Sequence, residues 1–224
     1  MPASPFAAIL FDMDGTLIDS EPIWLGQERL LMSEFGHEWT DANQQYCLGG
    51  PLSKVGRYMS QLVLGAQEPE FFEEQLVSRV TEELKLGVST VPGALELARE
   101  IFAAQIPTAL VSASPRSLMN AALNGFYAIA PDLAGLFDIS ISMDDVVRTK
   151  PDPEGYLSAA ATLGVPISEC LVIEDSLTGI TSGLASGAYV LAVPHLFDVA
   201  IQERMVILPT LQGQSLGSIE SLYR

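Results

Sequence analysis

The sequence predicts an α/β protein: a parallel sheet covered by helices on both faces, interrupted once by an all-helical insertion. Three observations lead there. From about residue 90 onward, short charge-free apolar runs alternate with helical patterns, as in βαβ units whose strands are buried on both faces. Residues 19–89 show helical periodicity and little strand signal, so they have no place in that alternation. Four of the apolar runs end abruptly in polar side chains, as strands do where their carboxyl ends border a crevice.

The elements follow in order. Ala8 to Phe11 form a first buried strand that runs straight into "DMDGT", Asp12 to Thr16. Pro22 suits a first helical turn, and Ile23, Leu30, Leu31 and Phe35 recur at helical spacing up to Gly36. A second helix follows "LGGPLS" and carries Val55, Tyr58, Met59 and Leu62; a third, 70–86, carries Phe71, Leu76, Val80 and Leu84. The chain returns to the alternating part near Val91. There "VPGALELAREIFAAQ" is a helix entered through Pro92 and Gly93, and "PTALVSAS" is a strand. Helix 115–123, the strand "FDISIS", helix 153–163, the strand "CLVIED", helix 176–185 and the strand "AYVLAV" complete the pattern. Past Pro194 the signal fades, and His195 reads as loop.

Composition narrows the class. The chain has 224 residues, 48% hydrophobic and 17% charged, with a net charge of −17. It is long enough for one large core plus a smaller insert. So acidic a surface repels nucleic acid and anionic lipid, so neither is an expected partner, and no obligate protein partner is evident. It repels anionic substrates too, so a phosphate-handling site would need a cation of its own. Cys47 and Cys170 form neither a metal-ligand spacing nor a disulfide framework, and read as reduced thiols. The N-terminus has no basic n-region, and no uncharged run reaches a membrane span. The expected location is the cytoplasm.

The polar strand ends are Asp12 to Asp14, Ser112 to Ser114, the basic "RTKPDP" loop and Glu174 with Asp175. In an open parallel sheet all four converge on one crevice. They form a chemical set. Asp12, Asp14 and Asp175, with Glu174 nearby, supply hard oxygen ligands suited to Mg²⁺. Lys150 balances the acids and can bind a phosphoryl oxygen. Ser112, with the backbone N–H of Ala113 and its successors, can donate to other oxygens. A carboxylate can itself attack phosphorus, forming an aspartyl-phosphate.

"DMDGT", "SAS", "KPDP" and "IEDS", in that order, resemble the four motifs of the haloacid-dehalogenase superfamily, and the helical insertion is similar to its α-helical cap. The resemblance implies a Rossmann-like, doubly wound parallel sheet core (1–18 and 90–224) with its first strand central, and a cap over 19–89. It implies that Asp12 is the nucleophile and a metal ligand, and Asp14 the general acid/base with its carbonyl on the metal. Ser112 would bind phosphate beside Ala113, Lys150 would be the motif lysine, and Asp175 would bind Mg²⁺, with Glu174 behind or beside it.

Within that family Asp14 favours phosphate ester chemistry over dehalogenation. Sugar-phosphate mutases of the family carry a histidine where this chain has Trp24, and tryptophan cannot deliver a proton to a sugar. The implied activity is hydrolysis of a small phosphorylated metabolite, with a β-phosphoglucomutase-like mutase as the alternative and a non-catalytic binding module behind it. A binding module would be expected to have lost Asp12, Asp14 or Lys150. Receiver domains also use strand-end acids and a lysine, but they are shorter and lack a helical insert. The remaining phosphate-binding candidates are Arg116 on the helix after "SAS" and, in the insertion, Lys54 with Arg57 nearby. Ser114 reads as a helix cap, Asp144 and Asp145 as a solvated or capping pair, and Trp24 and Trp39 as packing.

Overall fold

Apolar runs of three to five residues supply the strands of a single parallel sheet. The computed structural model describes residues 4–47, 50–194 and 199–223; His195 lies outside them. Strand β1 (Ala8–Phe11) leads into the helical insertion: α1 (Glu21–Glu34), α2 (Asp41–Cys47), α3 (Leu52–Leu62) and α4 (Pro69–Leu86). The core resumes with α5 (Ala94–Ala103), β2 (Thr108–Val111), α6 (Arg116–Ile129), β3 (Ile139–Ile141) and α7 (Glu154–Leu163). It continues through β4 (Cys170–Glu174), α8 (Leu177–Ser186), β5 (Tyr189–Ala192), β6 (Met205–Ile207) and α9 (Leu216–Ser221). The strand order is β3-β2-β1-β4-β5-β6, all parallel. This is the doubly wound order, with its topological switch at β1.

Helices cover both faces because β1, β2 and β4 are buried along their whole length. Ile9 and Phe11 point to one apolar cluster with α5 and α6; Ala8 and Leu10 point to the other with α7 and α8. The period-2 alternation of a strand divides them.

The insertion leaves and returns at one place. Asp19 N–H donates to the Ser89 carbonyl at 2.9 Å, and Val91 N–H to the Leu17 carbonyl at 3.2 Å. It has its own cluster of Leu31, Met32, Trp39, Val55, Met59, Phe72 and Leu76. Val80 and Leu84, from the second half of α4, instead join the large core cluster with Phe126 of α6.

Three elements lie outside the sequence reading: α2, β6 and α9. The segment "DANQQYC" of α2 is mostly polar, and its start is set by Thr40, whose N–H and hydroxyl both donate to Asn43 Oδ1. β6 is three residues long and, among the described residues, pairs only with β5. Helix α6 runs past Leu123 to Ile129 through Gly125, which reads locally as a breaker. It is tolerated because α4 passes close by: a Cβ on Gly125 would lie 2.6 Å from Val88 Cγ1 and 3.1 Å from the Leu84 carbonyl oxygen.

Candidate active site

The parallel ladder carries the polar residues one step beyond the strands. Asp12 N–H donates to the Ile173 carbonyl at 3.0 Å, and Ser112 N–H to the Ile141 carbonyl at 2.9 Å. Asp12, Ser112 and Glu174 therefore line the same carboxyl edge at the β1 switch point. Their side chains are nearly inaccessible to solvent.

After Asp12 the chain turns at once. Leu17 and Ile18 both donate to the Met13 carbonyl, and Gly15 takes a φ of +83°. A side chain at Gly15 would also overlap the Asp175 carboxylate, so glycine is required twice over. Thr16 faces the same group: its hydroxyl donates to Asp175 Oδ1 at 3.0 Å. Asp14 is held on both oxygens, by the Ser20 hydroxyl at 2.7 Å and the Ser114 hydroxyl at 2.8 Å. Ser20 stands at the start of α1 and Ser114 just before α6. Ser114 N–H also donates to Ser112 Oγ at 3.0 Å.

Lys150 is buried among acceptors. Its ammonium donates to Asp12 Oδ1, to Glu174 Oε1 at 2.7 Å and to the Val111 carbonyl at 2.8 Å. Glu174 is fully enclosed. Its Oε1 also accepts from the Tyr156 hydroxyl at 2.9 Å. Its Oε2 accepts from Asp175 N–H, Ser176 N–H and the Ser176 hydroxyl, each at 3.1 Å. Both oxygens are saturated.

Carboxylate oxygens of Asp12, Glu174 and Asp175 lie within 4.8 Å of one another. One lysine cannot neutralise three such acids. Burial, then the Glu174 charge, pushes the Asp12 carboxyl well above its ordinary range against the pull of Lys150. The same two causes push Asp175 up to about 8. Burial disfavours the Lys150 charge, yet Asp12 and Glu174 together hold its pKa above the ordinary value. An excess of clustered carboxylate oxygen is the donor set that a hard divalent cation fits. With Glu174 already saturated, Asp12 and Asp175 are the side chains free to take it.

Arg116 and Lys54 are engaged elsewhere. The Arg116 guanidinium bonds Ser140 Oγ at 2.6 Å, the Ser140 carbonyl at 2.9 Å and Asp145, tying the start of α6 to the turn after β3. Lys54 donates to the Tyr46 carbonyl and lies over the Tyr46 ring. Among the described residues neither bonds the acid–lysine cluster. Asp144 and Asp145 are a capping pair: Asp144 accepts from Arg116 N–H at 2.8 Å, and Asp145 closes a capping box with Ser142. Cys47 and Cys170 are free and buried. Sequence reasoning missed Ser20 and Tyr156, and took Ser114 for a helix cap. A hydroxyl on the fully buried face of α7, six residues after Lys150, was the available signal for Tyr156.

A doubly wound sheet with acids and a lysine at its switch point defines an α/β protein whose ligand crevice lies at the strand ends. Residues 6–187 match the model of the haloacid dehalogenase-like hydrolases, and the chain belongs to that family. It is similar to validoxylamine A 7'-phosphate phosphatase of Streptomyces hygroscopicus subsp. limoneus, 30% identical over 207 residues, covering 92% of this chain and 94% of that one. It is similar also to hexitol phosphatase A of Escherichia coli K12, 29% identical, covering 94% and 96%. The structure of β-phosphoglucomutase from Clostridium difficile superposes with a TM-score of 0.78 at 18% identity, covering 97% of both chains; that likeness speaks for the fold alone. The chain is an enzyme with function of the phosphatase or phosphomutase type. No helix among the described residues is long and apolar enough to cross a membrane.

Proposed function

We propose that this enzyme is a cytoplasmic, Mg²⁺-dependent phosphatase that hydrolyses a small phosphomonoester, its leaving group a sugar or polyol, through an aspartyl-phosphate on Asp12. In this reading residues 19–89 act as a cap over the crevice of the core. The observation that carries it is the division of labour between the two aspartates of "DMDGT". Asp12 lies against Lys150 and the other acids, whereas Asp14 is held apart by two serines.

The residues then act as follows. Asp12 attacks phosphorus in line; the P–O bond to the leaving group breaks as the bond to Asp12 forms. Asp14 gives its proton to the departing alcohol oxygen, then takes one from the water that attacks the phosphorylated Asp12. That water releases inorganic phosphate and restores the Asp12 carboxylate. Lys150 offsets charge on the phosphoryl oxygens, and Ser112 with the Ala113 N–H is suited to orient them. Asp12 and Asp175, with the Asp14 carbonyl, would hold Mg²⁺, which when bound supplies further positive charge to the phosphoryl group. The names of the relatives support a polyhydroxylated phosphate ester as substrate. Trp24, in place of a proton-carrying side chain, weighs against a mutase.

The test is a panel of hexitol and sugar phosphates, assayed for inorganic phosphate release with Mg²⁺, with EDTA and with Asp12→Asn. Release should require the metal and vanish in the folded variant. β-Glucose 1-phosphate belongs in the panel. Its conversion to glucose 6-phosphate without net phosphate release would overturn the phosphatase reading in favour of the mutase.

A further inference from the structure

Tyr156 lies on α7 with its side chain wholly enclosed. A hydroxyl buried so completely costs free energy unless it is bonded. Its bond, at 2.9 Å, goes to Glu174 Oε1, the oxygen that accepts from the Lys150 ammonium at 2.7 Å. Lys150 also sits over the Tyr156 ring, 5.0 Å from its centroid. An ammonium has three N–H groups, and here all three are engaged, by Asp12, Glu174 and the Val111 carbonyl. Reaching a phosphoryl oxygen means loosening one of these. The Val111 carbonyl is fixed in a strand, and Asp12 is the partner on the reacting side. Glu174 is therefore the partner whose grip has to be moderate. Its Oε2 is pinned by Asp175 and Ser176, so it cannot turn away. A second donor on Oε1 is the remaining way to weaken its hold.

We propose that Tyr156 is a positioning residue: by sharing Glu174 Oε1 with Lys150, its hydroxyl keeps the ammonium available to Asp12 and to a bound phosphoryl group. The assignment rests on the phosphatase reading of the site. Phenylalanine keeps the ring but removes the competing donor. Glu174 then takes the ammonium more fully, and Lys150 serves phosphate less well. The effect travels through Glu174 and disappears when that carboxylate is neutralised.

The experiment is a double-mutant cycle of wild type, Tyr156→Phe, Glu174→Gln and the double variant. Two readouts are followed: kcat and KM for p-nitrophenyl phosphate with Mg²⁺, and the Kd of inorganic phosphate with Mg²⁺ by calorimetry. Tyr156→Phe should keep a near-native Tm, with kcat lowered and phosphate binding weakened by a factor of about 3–10, the worth of one hydrogen bond. In the Glu174→Gln background the same change should do almost nothing. Equal losses in both backgrounds would mark a purely structural residue and overturn the proposal. So would a Tyr156→Phe protein of unchanged kcat and phosphate affinity, which decides the matter even if Glu174→Gln does not fold. Coupled phosphate binding without turnover of any ester would sink the phosphatase reading and leave Tyr156 its role. Turnover with uncoupled losses would do the reverse.

Discussion

Asp14 is held at 2.7 and 2.8 Å by serines from two different segments, Ser20 and Ser114. If it is the acid of the first step and the base of the second, Asp14→Asn should affect the two steps unequally. p-Nitrophenolate leaves without a proton, so Asp12 should still be phosphorylated, while water attack loses its base at a cost of about 10² to 10⁴ in rate. Phosphoenzyme should accumulate, seen by intact-protein mass spectrometry after an acid quench, with a burst of p-nitrophenol. Full-rate turnover of both aryl and alkyl phosphates would remove Asp14 from the mechanism. A second residue-scale prediction concerns Glu28 in the insertion. It is buried, with Oε2 lacking a hydrogen-bond partner among the described residues. Burial, with Glu21 adding repulsion, pushes its carboxyl up to about 7 against a smaller lowering influence of the nearby Trp39 and Gln44. The unfolded chain loses this proton near pH 4.5, and the folded chain only near 7. Stability therefore falls as pH rises through that window, by about 3 kcal/mol in all. Glu28→Gln should match wild type below the window, exceed it in Tm above about pH 8 and flatten the profile between. Parallel Tm–pH curves for the two proteins would refute this.

Two glycines show what helix packing requires. Gly179 on α8 rides over Glu174, where an added methyl would overlap the carboxylate. Gly125 lets α6 approach α4 far from the acids. Gly125→Ala and Gly179→Ala should each destabilise by about 1–3 kcal/mol through overpacking, despite alanine's better helix propensity. Only Gly179→Ala should also depress kcat, because it displaces the partner of Lys150. Thermal melts beside p-nitrophenyl phosphate kinetics check this, and a fully active Gly179→Ala would contradict it. At this scale the sequence was legible where period and length agree. Strand β1 falls on Ala8–Phe11 as read, and α1, α3 and α4 begin within a residue or two of their expected starts. The end of α6 was not legible, because Gly125 is a local breaker whose tolerance comes from a neighbouring helix.

The whole molecule carries a net charge of −17 and, on the proposed reading, must admit a dianionic ester. The repulsion is long-ranged at low salt, where the Debye length is about 30 Å at 0.01 M against about 8 Å at 0.15 M. Raising ionic strength over that range with an inert salt at constant free Mg²⁺ should therefore raise kcat/KM about 2–5-fold, mostly through KM. A fall in kcat/KM would show that local positive charge outweighs the global field.

Much of the candidate site was determined by the sequence alone, since its residues sit at strand ends. Once a run such as "AILF" or "CLVIE" is a buried parallel strand, the next residue lies at the carboxyl edge, whatever the rest of the chain does. That reasoning placed Asp12, Ser112 and Asp175 at one edge, with Glu174 closing β4. Lys150 lies well past the end of β3 rather than at it, and its side chain reaches Asp12 and Glu174 from the loop. Only the tertiary structure decided how these groups share donors: that Glu174 is saturated, that Asp14 is bracketed by Ser20 and Ser114, and that Arg116 and Lys54 are bound elsewhere. Strand periodicity gives the edge on which a side chain stands. Its hydrogen-bond partner is set by which segments, remote in sequence, come within about 3 Å of it, and Tyr156 is brought to Glu174 by the packing of α7 across β1, β2 and β3.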